Sequence, residues 1–361
     1  MHRSDHTVAT VEETPQSIAQ RNHTMRRVRL EDVAKHAGVS MKTVSNVVHD
    51  YPHVSAATRE KVQRALDELG YRPNALARRL ATGRTGILAL AFSDVTIPYF
   101  SELARTVSRA AAARGYRLLL EQTDGTLEGE REIVSTREAG LVDGVIFQPT
   151  AMSSLEIAQH RQDIPLVLLG EQTAPIGVDH VMIDNVAAAS VATEQLIRLG
   201  RRRIGFVGHE SAGLTATSSV RLMGYQRALE SAGIPLDMSL LLPSDAISSR
   251  ESEVAVARAI DAGLQFDALV CRDDLAAIGA LRALQLHDIA VPDAVAVVGW
   301  DDVPMASFTY PSLTTIAPAM EQLATTALDL LEERIAGYDG VGRHRVTDFS
   351  LMVRESAPDP T

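Results

Sequence analysis

One cysteine, Cys271, in 361 residues excludes an internal disulfide framework and a clustered thiolate metal site, and it fits a reducing compartment. Aromatic residues are scarce, 4% of the chain against 45% hydrophobic, so the core must be aliphatic. The composition is that of a globular protein, neither disordered nor fibrous. No apolar run approaches the roughly 20 residues that a bilayer-spanning helix needs. Residues 1–20 carry charges and lack the continuous apolar centre of a secretory signal. A soluble, cytoplasmic protein with no membrane partner is expected. Catalytic signatures are missing too. There is no Gly-x-Gly-x-x-Gly and no phosphate-loop motif, and none of the 11 histidines stands in a His-Glu-x-x-His zinc pattern. His209-Glu210 reads as a surface loop pair. No catalytic residue, metal or cofactor is expected, although a dispersed triad would leave no such mark.

What is present is an uneven charge. The net charge of -11 divides into a basic stretch, residues 26–84, with 12 Lys/Arg against 6 Asp/Glu, and an acidic remainder, residues 85–361, with 21 against 37. A basic head on an acidic body is the distribution of a phosphate-binding module on a larger domain. Chance clustering of solvated charge gives the same counts, so the pattern of the head has to decide.

Leu30, Val33, Ala34 and Ala37 recur at helical spacing. Gly38 then supplies a permissive turn, and Ser40 suits the cap of a second helix beginning at Met41. Val44, Val47 and Val48 share the inward face of that helix, leaving Met41, Lys42, Ser45 and Asn46 outside. A third helix is expected between Ser55 and Gly70, with Val62, Leu66 and Leu69 inward. The following run, Tyr71-Arg72-Pro73-Asn74-Ala75-Leu76-Ala77-Arg78-Arg79-Leu80, holds a helical piece too short to be stable alone. It makes sense as a segment that folds against DNA, with a leucine wedged into the minor groove; an ordinary linker helix is the plainer alternative.

Val28-Arg29-Leu30-Glu31-Asp32-Val33-Ala34-Lys35-His36-Ala37-Gly38-Val39-Ser40, Thr43-Val44-Ser45 and Tyr71-Arg72-Pro73-Asn74 together resemble the head of the lactose-repressor (LacI/GalR) family of transcriptional regulators. The resemblance implies base reading in the major groove by Met41, Lys42 and Asn46. It implies phosphate contacts from Thr43 and Ser45 beside the cap Ser40, and a minor-groove lever at Leu80. Ala77, Arg78 and Arg79 flank that lever, the arginines as phosphate partners on charge grounds. Residues 1–25 match nothing in the pattern and are expected to be a disordered extension. The expected domains are a helix-turn-helix head at 26–72, a hinge helix and linker at 73–85, and a two-lobed effector-binding and dimerisation body at 86–361.

In the body, apolar runs at 87–92, 117–120, 145–147 and 165–169 alternate with helix-like stretches such as 101–114 and 128–138. A second series follows at 204–207, 240–242, 268–271 and 295–298. Short buried strands spaced by helices imply parallel sheets covered on both faces. Two such groups imply two lobes, with ligand at the carboxyl ends of the strands. The resemblance continues through Asp184-Asn185, Arg221-x-x-Gly224-Tyr225, Asp273-Asp274, Val298-Gly299-Trp300-Asp301-Asp302 and Leu313-Thr314-Thr315-Ile316. The implied fold class is an all-α helix-turn-helix head plus an α/β two-lobed body of the periplasmic-binding-protein type. Three chain crossings between lobes are expected near Asp184, Pro311 and Gly337.

By the same resemblance Arg221 and Asp301 take effector positions, a donor fork and an acceptor suited to hydroxyls or a carboxylate; the alternative is that they simply pair with each other. Asp273 stands where the family commonly has asparagine. Tyr99 and Phe100 are candidates for stacking on a ring or for the core, and Trp300 for lining the pocket or packing beneath it. Asp274 and Asp302 read as helix-start or turn residues. The implied function is that of a sequence-specific regulator, a repressor by analogy. It would bind a palindromic double-stranded DNA operator as a homodimer under control of a small-molecule effector, a sugar or sugar derivative. No leucine heptads follow the last strand, which disfavours a coiled-coil tetramer. Two rivals remain: an exported solute-binding protein, which has no use for the basic head, and a sugar-acting enzyme on the same scaffold.

Overall fold

Helical spacing of small apolar residues becomes three helices in the first of two units. The computed structural model describes residues 28–48, 51–71, 84–134, 140–160, 164–171, 174–211, 213 and 215–360, and the chain divides into Met1–Gly83 and Arg84–Thr361. In the first unit α1 (Leu30–Ala37) starts where Asp32 Oδ2 accepts the Arg29 backbone N–H at 2.8 Å. It ends at Gly38, whose φ of 56° lies in the left-handed region that glycine enters at least cost. Ser40 opens α2 (Met41–Val48), its Oγ accepting the Thr43 N–H at 3.1 Å. Ser55 opens α3 (Ala56–Glu68) in the same way, through the Thr58 N–H. Val33, Ala37, Val44, Val47, Val62 and Leu66 close into one core. Each such valine or leucine contributes about 1.5–3 kcal/mol by leaving water. Ala77, Arg78, Arg79 and Leu80, and residues 1–25, lie outside the described residues.

The second unit holds two six-stranded sheets. In the first lobe β1 (Ile87–Phe92), β2 (Arg117–Gln122), β3 (Gly144–Phe147), β4 (Leu166–Leu169) and β5 (Asp179–Ile183) alternate with α4 (Pro98–Ala113), α5 (Leu127–Val134) and α6 (Ser154–His160). In the second, β6 (Ile204–His209), β7 (Leu241–Pro243), β8 (Ala268–Cys271), β9 (Ala296–Trp300) and β10 (Thr314–Pro318) alternate with α7 (Asn185–Arg198), α8 (Ala216–Ser231), α9 (Ser249–Asp261) and α10 (Asp274–Leu286), α7 leading into β6. The last elements are α11 (Met320–Ile335), β11 (His344–Thr347) and β12 (Phe349–Met352).

The strand orders are β11-β5-β4-β3-β1-β2 and β12-β10-β9-β8-β6-β7, the same winding used twice with one late strand added to each edge. All pairings are parallel except β10 with β12. Parallel strands buried on both faces must read as continuous apolar runs, as in Leu88–Leu90 beneath Leu103 and Val107 of α4 and Leu328 and Leu331 of α11.

The chain crosses between lobes three times. The first crossing is at Asp184, between β5 and α7, where the sequence places it. The second falls at Ala319, between β10 and α11, rather than near Pro311, because β10 completes the second sheet before α11 packs on the first. The third is at Asp348, between β11 and β12, and not near Gly337, which ends the turn after α11. Among the described residues no helix is long and apolar enough to cross a membrane.

Gly224 shows why Arg221-x-x-Gly224-Tyr225 is spaced as it is. A Cβ there would stand 2.2 Å from the Val186 carbonyl oxygen, so only glycine lets α8 lie this close to α7. Ser190 Oγ uses that proximity to donate to the Gly224 carbonyl at 3.0 Å. One residue on, Tyr225 is fully buried and donates its hydroxyl to the Ile204 carbonyl at 2.7 Å. Arg221, one turn earlier, is thereby fixed at the mouth of the lobe.

Candidate functional site

Both windings change direction between their first and third strands, and in such sheets the crevice beyond the carboxyl ends is the natural ligand site. The two sheets aim these ends at one cleft of about 130 Å³. Ser93 follows β1, Gln148 follows β3 and Glu171 stands two residues beyond β4. Glu210 follows β6, Arg272 follows β8 and Asp301 follows β9. Tyr99 and Phe100, in the first turn of α4, and Arg221, from α8, complete the walls.

Of the residues singled out from sequence, Tyr99, Phe100, Arg221, Asp273 and Asp301 meet here. Phe100 serves both readings: it reaches the cleft and stacks on Phe92 in the core, with ring centroids 5.1 Å apart. Tyr99 stands edge-on to Phe100. Burial, with Glu171 and Asp301 nearby, pushes its phenol well above the usual tyrosine range against the pull of Arg221. Trp300 is not among the lining residues. It is 1% exposed and lies beneath Arg221, the guanidinium carbon 4.0 Å from the ring centroid.

Arg221 does not form an architectural pair with Asp301. Its Nε donates to Asn185 Oδ1 at 3.0 Å and its Nη1 to the Arg272 carbonyl, while the indole supports its face. Asn185, the first residue after the Asp184 crossing, also donates from Nδ2 to Glu171 at 2.9 Å. Glu171 in turn accepts from the Thr217 hydroxyl at 2.6 Å. A carboxylate of one lobe is thus tied to the first turn of α8 in the other. Sequence reasoning missed Glu171, and no motif announced it.

Asp273 lines the cleft and also starts α10, accepting the Ala276 N–H at 2.8 Å. Asp274, next along, is the first residue of the helix, the helix-start position expected of it. A second role of Asp273 is to accept from Arg272 Nε at 3.0 Å. Arg272 is almost wholly buried and donates also to Glu210 at 2.9 Å and to the Ala246 carbonyl at 3.2 Å. Glu210 is consequently a cleft residue and not half of a surface loop pair. Burial works against its charge, but Ser218, Thr215 and Arg272 outweigh that and hold its carboxyl below the usual range.

Asp301 differs from its neighbours. Its backbone is left-handed, φ 109°, and no hydrogen bond from a described residue reaches its carboxyl group. Burial pushes that group well above the carboxylate range; Arg221 opposes the shift, while Asp274, Asp273 and Glu171 add to it. The Gln148 side-chain oxygen is also buried without a partner. Acceptors without donors, beside a guanidinium braced from below, form a site for a ligand rich in hydroxyls. In the first unit, Met41 and Lys42 are exposed and Thr43, Ser45 and Asn46 half-exposed along α2.

Comparisons with known proteins agree with both halves of this layout. Residues 29–74 match the model of the bacterial regulatory proteins, lacI family, and residues 193–357 match that of the periplasmic binding protein-like domain. The HTH-type transcriptional regulator CelR of Thermobifida fusca is 35% identical over 353 residues, covering 92% of this chain and 98% of the relative. The solved complex of CelR with cellobiose superposes with a TM-score of 0.68 at 32% identity, over 91% of this chain and 100% of that one. The lac repressor dimer bound to operator and the anti-inducer ONPF superposes with a TM-score of 0.80 at 26% identity, over 92% and 100%.

Proposed function

Because the chain belongs to the lacI family of bacterial regulatory proteins, we propose that it is a cytoplasmic repressor that binds a palindromic operator as a dimer and is controlled by a saccharide in the inter-lobe cleft. The observation that carries this reading is the junction of two machines in one chain: a helix-turn-helix with an exposed, polar second helix, and a cleft at two sets of strand ends. Neither an exported solute-binding protein nor an enzyme needs the first.

In this proposal residues 26–72 read DNA, 73–85 form the hinge and 86–361 bind effector and dimerise. Met41, Lys42 and Asn46 meet base edges, Thr43 and Ser45 meet phosphates, and Ser40 caps the helix that carries them. Leu80 enters the minor groove, flanked by Ala77, Arg78 and Arg79. In the cleft Arg221 donates to ligand hydroxyls and Asp301 accepts from them, with Asp273 alongside and Tyr99 and Phe100 against the ring. A dimer through the body is supported by Phe308 and Tyr310, 87% and 93% exposed on the loop between β9 and β10. The CelR–cellobiose complex supports a saccharide. Effector binding acts only through a difference in affinity between two lobe arrangements, and the crossings at Asp184, Ala319 and Asp348 are the hinges through which these would interconvert.

Selection of binding sites from random duplex DNA by the full-length protein tests the reading. A near-palindrome with a flexible central step is expected, and a sugar is expected to release or tighten the complex. Leu80→Ala should weaken binding to that site far more than binding to unrelated DNA. Equal loss on both would remove the lever, and failure to enrich any sequence at low salt, with or without sugars, would remove the regulator reading.

A further inference from the structure

We infer that the cleft selects its ligand by charge: it takes an uncharged or amino-bearing sugar and refuses the phosphorylated or carboxylated form of the same sugar. The inference deepens the effector reading above and rests on it.

Four carboxylates, Glu171, Glu210, Asp273 and Asp301, line the cleft against two guanidiniums, Arg221 and Arg272. A phosphate or carboxylate on a ligand needs a guanidinium fork free to meet it, and Arg272 has none to give. Its Nε is held by Asp273, its Nη1 by Glu210 and its Nη2 by the Ala246 carbonyl. Arg221 spends Nε on Asn185 and Nη1 on the Arg272 carbonyl, and its face lies on Trp300. Only Nη2 has no hydrogen bond among the described residues: its side-on fork with Nε is broken by Asn185, and its end-on fork with Nη1 is shared with the Arg272 carbonyl, so neither bidentate edge is wholly free for an anion.

The acceptors run the other way. Asp301 receives no hydrogen bond from a described residue, and the Gln148 side-chain oxygen is buried without one. Glu171 is engaged by neutral donors alone, Asn185 and Thr217, so its charge is not cancelled locally. An anionic substituent brought into this space would meet two acidic groups that no cation pairs, Glu171 and Asp301, around one half-used guanidinium, whereas hydroxyls or an ammonium would supply the donors that Asp301 and Gln148 lack.

The test is a matched panel against the full-length protein, read by calorimetric titration and by the shift in thermal unfolding midpoint. Glucose, galactose, ribose and cellobiose are each compared with their amino, acid and phosphate derivatives where these exist. At least one uncharged or amino sugar is expected to bind, with its acidic or phosphorylated counterpart weaker by on the order of 100-fold. Binding of any anionic member as tightly as its parent overturns the charge rule and leaves the sugar reading intact. A panel in which no sugar of any charge binds overturns both.

A variant assigns the cause. In Glu171→Gln the amide oxygen can still accept from Asn185 while the amide nitrogen donates to the Thr217 hydroxyl, so one charge is removed and both contacts survive. The affinity ratio of the uncharged sugar over its anionic counterpart is expected to fall about tenfold. A positioning role alone would scale both affinities together and leave the ratio unchanged, which would remove Glu171 from the selection.

Discussion

Asp274 is wholly buried at the start of α10, where its carboxylate accepts the Thr315 hydroxyl at 2.6 Å and the Val303 N–H at 2.9 Å. Burial raises this acid to about 7; the charges of Asp273 and Asp302 add to the shift, and the two hydrogen bonds oppose it. The ordinary value, 3.8, applies to the unfolded chain, so the folded state holds the proton more tightly. Its contribution to stability is therefore complete below about pH 4 and lost as the pH rises through about 7, an effect on the order of a few kcal/mol. Urea unfolding between about pH 5 and pH 8 should show a decline that Asp274→Asn flattens, even though that variant starts from a lower plateau. An unchanged slope in the variant would assign the decline to other groups. Asp302, read from sequence as a turn residue, has a φ of 51° and accepts from Arg354 at 2.6 Å.

Among the elements, β5 opens with Asp179 and His180, both buried, and that is why an apolar-run criterion passes over it. Arg334 of α11 and Arg343 ahead of β11 both donate to Asp179, at 2.7 to 3.1 Å, and both lie over the Tyr338 ring. Burial pulls its acid upward, but the bonds from Arg343 and Arg334 outweigh it and hold the group at about 2. The cluster fastens three elements of the first lobe, so Asp179→Asn should destabilise the body by about 3–5 kcal/mol, as checked by denaturant midpoints. A loss under 1 kcal/mol would mean that the arginines find other partners. The same logic separates what was legible from what was not. Strands β1, β3, β4, β8 and β9 are continuous apolar runs, and the first-unit helices have regular spacing with recognisable caps. Strand β10 buries Thr314 and Thr315, and β11 is largely exposed at a sheet edge, so neither carries an apolar signature; the crossings beside them were misplaced for that reason. In the cleft, Arg221, Asp273 and Asp301 belong to recognisable motifs, whereas Glu171 and Arg272 acquire their roles only from what folding sets beside them.

Taken whole, the molecule carries opposite charge on its two parts, 12 Lys/Arg against 6 Asp/Glu in residues 26–84 and 21 against 37 beyond. That asymmetry orients a duplex toward the head and keeps it from the body. Exposed aromatics break the polar surface of the second unit. Replacing Phe308 and Tyr310 together by serine should shift the sedimenting species toward one chain at micromolar concentration. Operator affinity should fall with it, because each half-site would then be bound without its partner. A variant that stays dimeric would place the interface elsewhere on the body.

Trp300 is the only tryptophan in the chain, and it lies directly under the arginine that closes the floor of the cleft. The protein therefore carries an unlabelled optical gauge at one known address. Any ligand that draws the guanidinium off the indole should change its emission, and the amplitude should saturate with occupancy. Linkage makes the same signal informative from the far end: a duplex that alters the cleft must change the ligand concentration at half-amplitude, and one that leaves it untouched must not. The coupling between the two ends of the chain would then be readable from a single fluorophore, without a reporter gene or a dye.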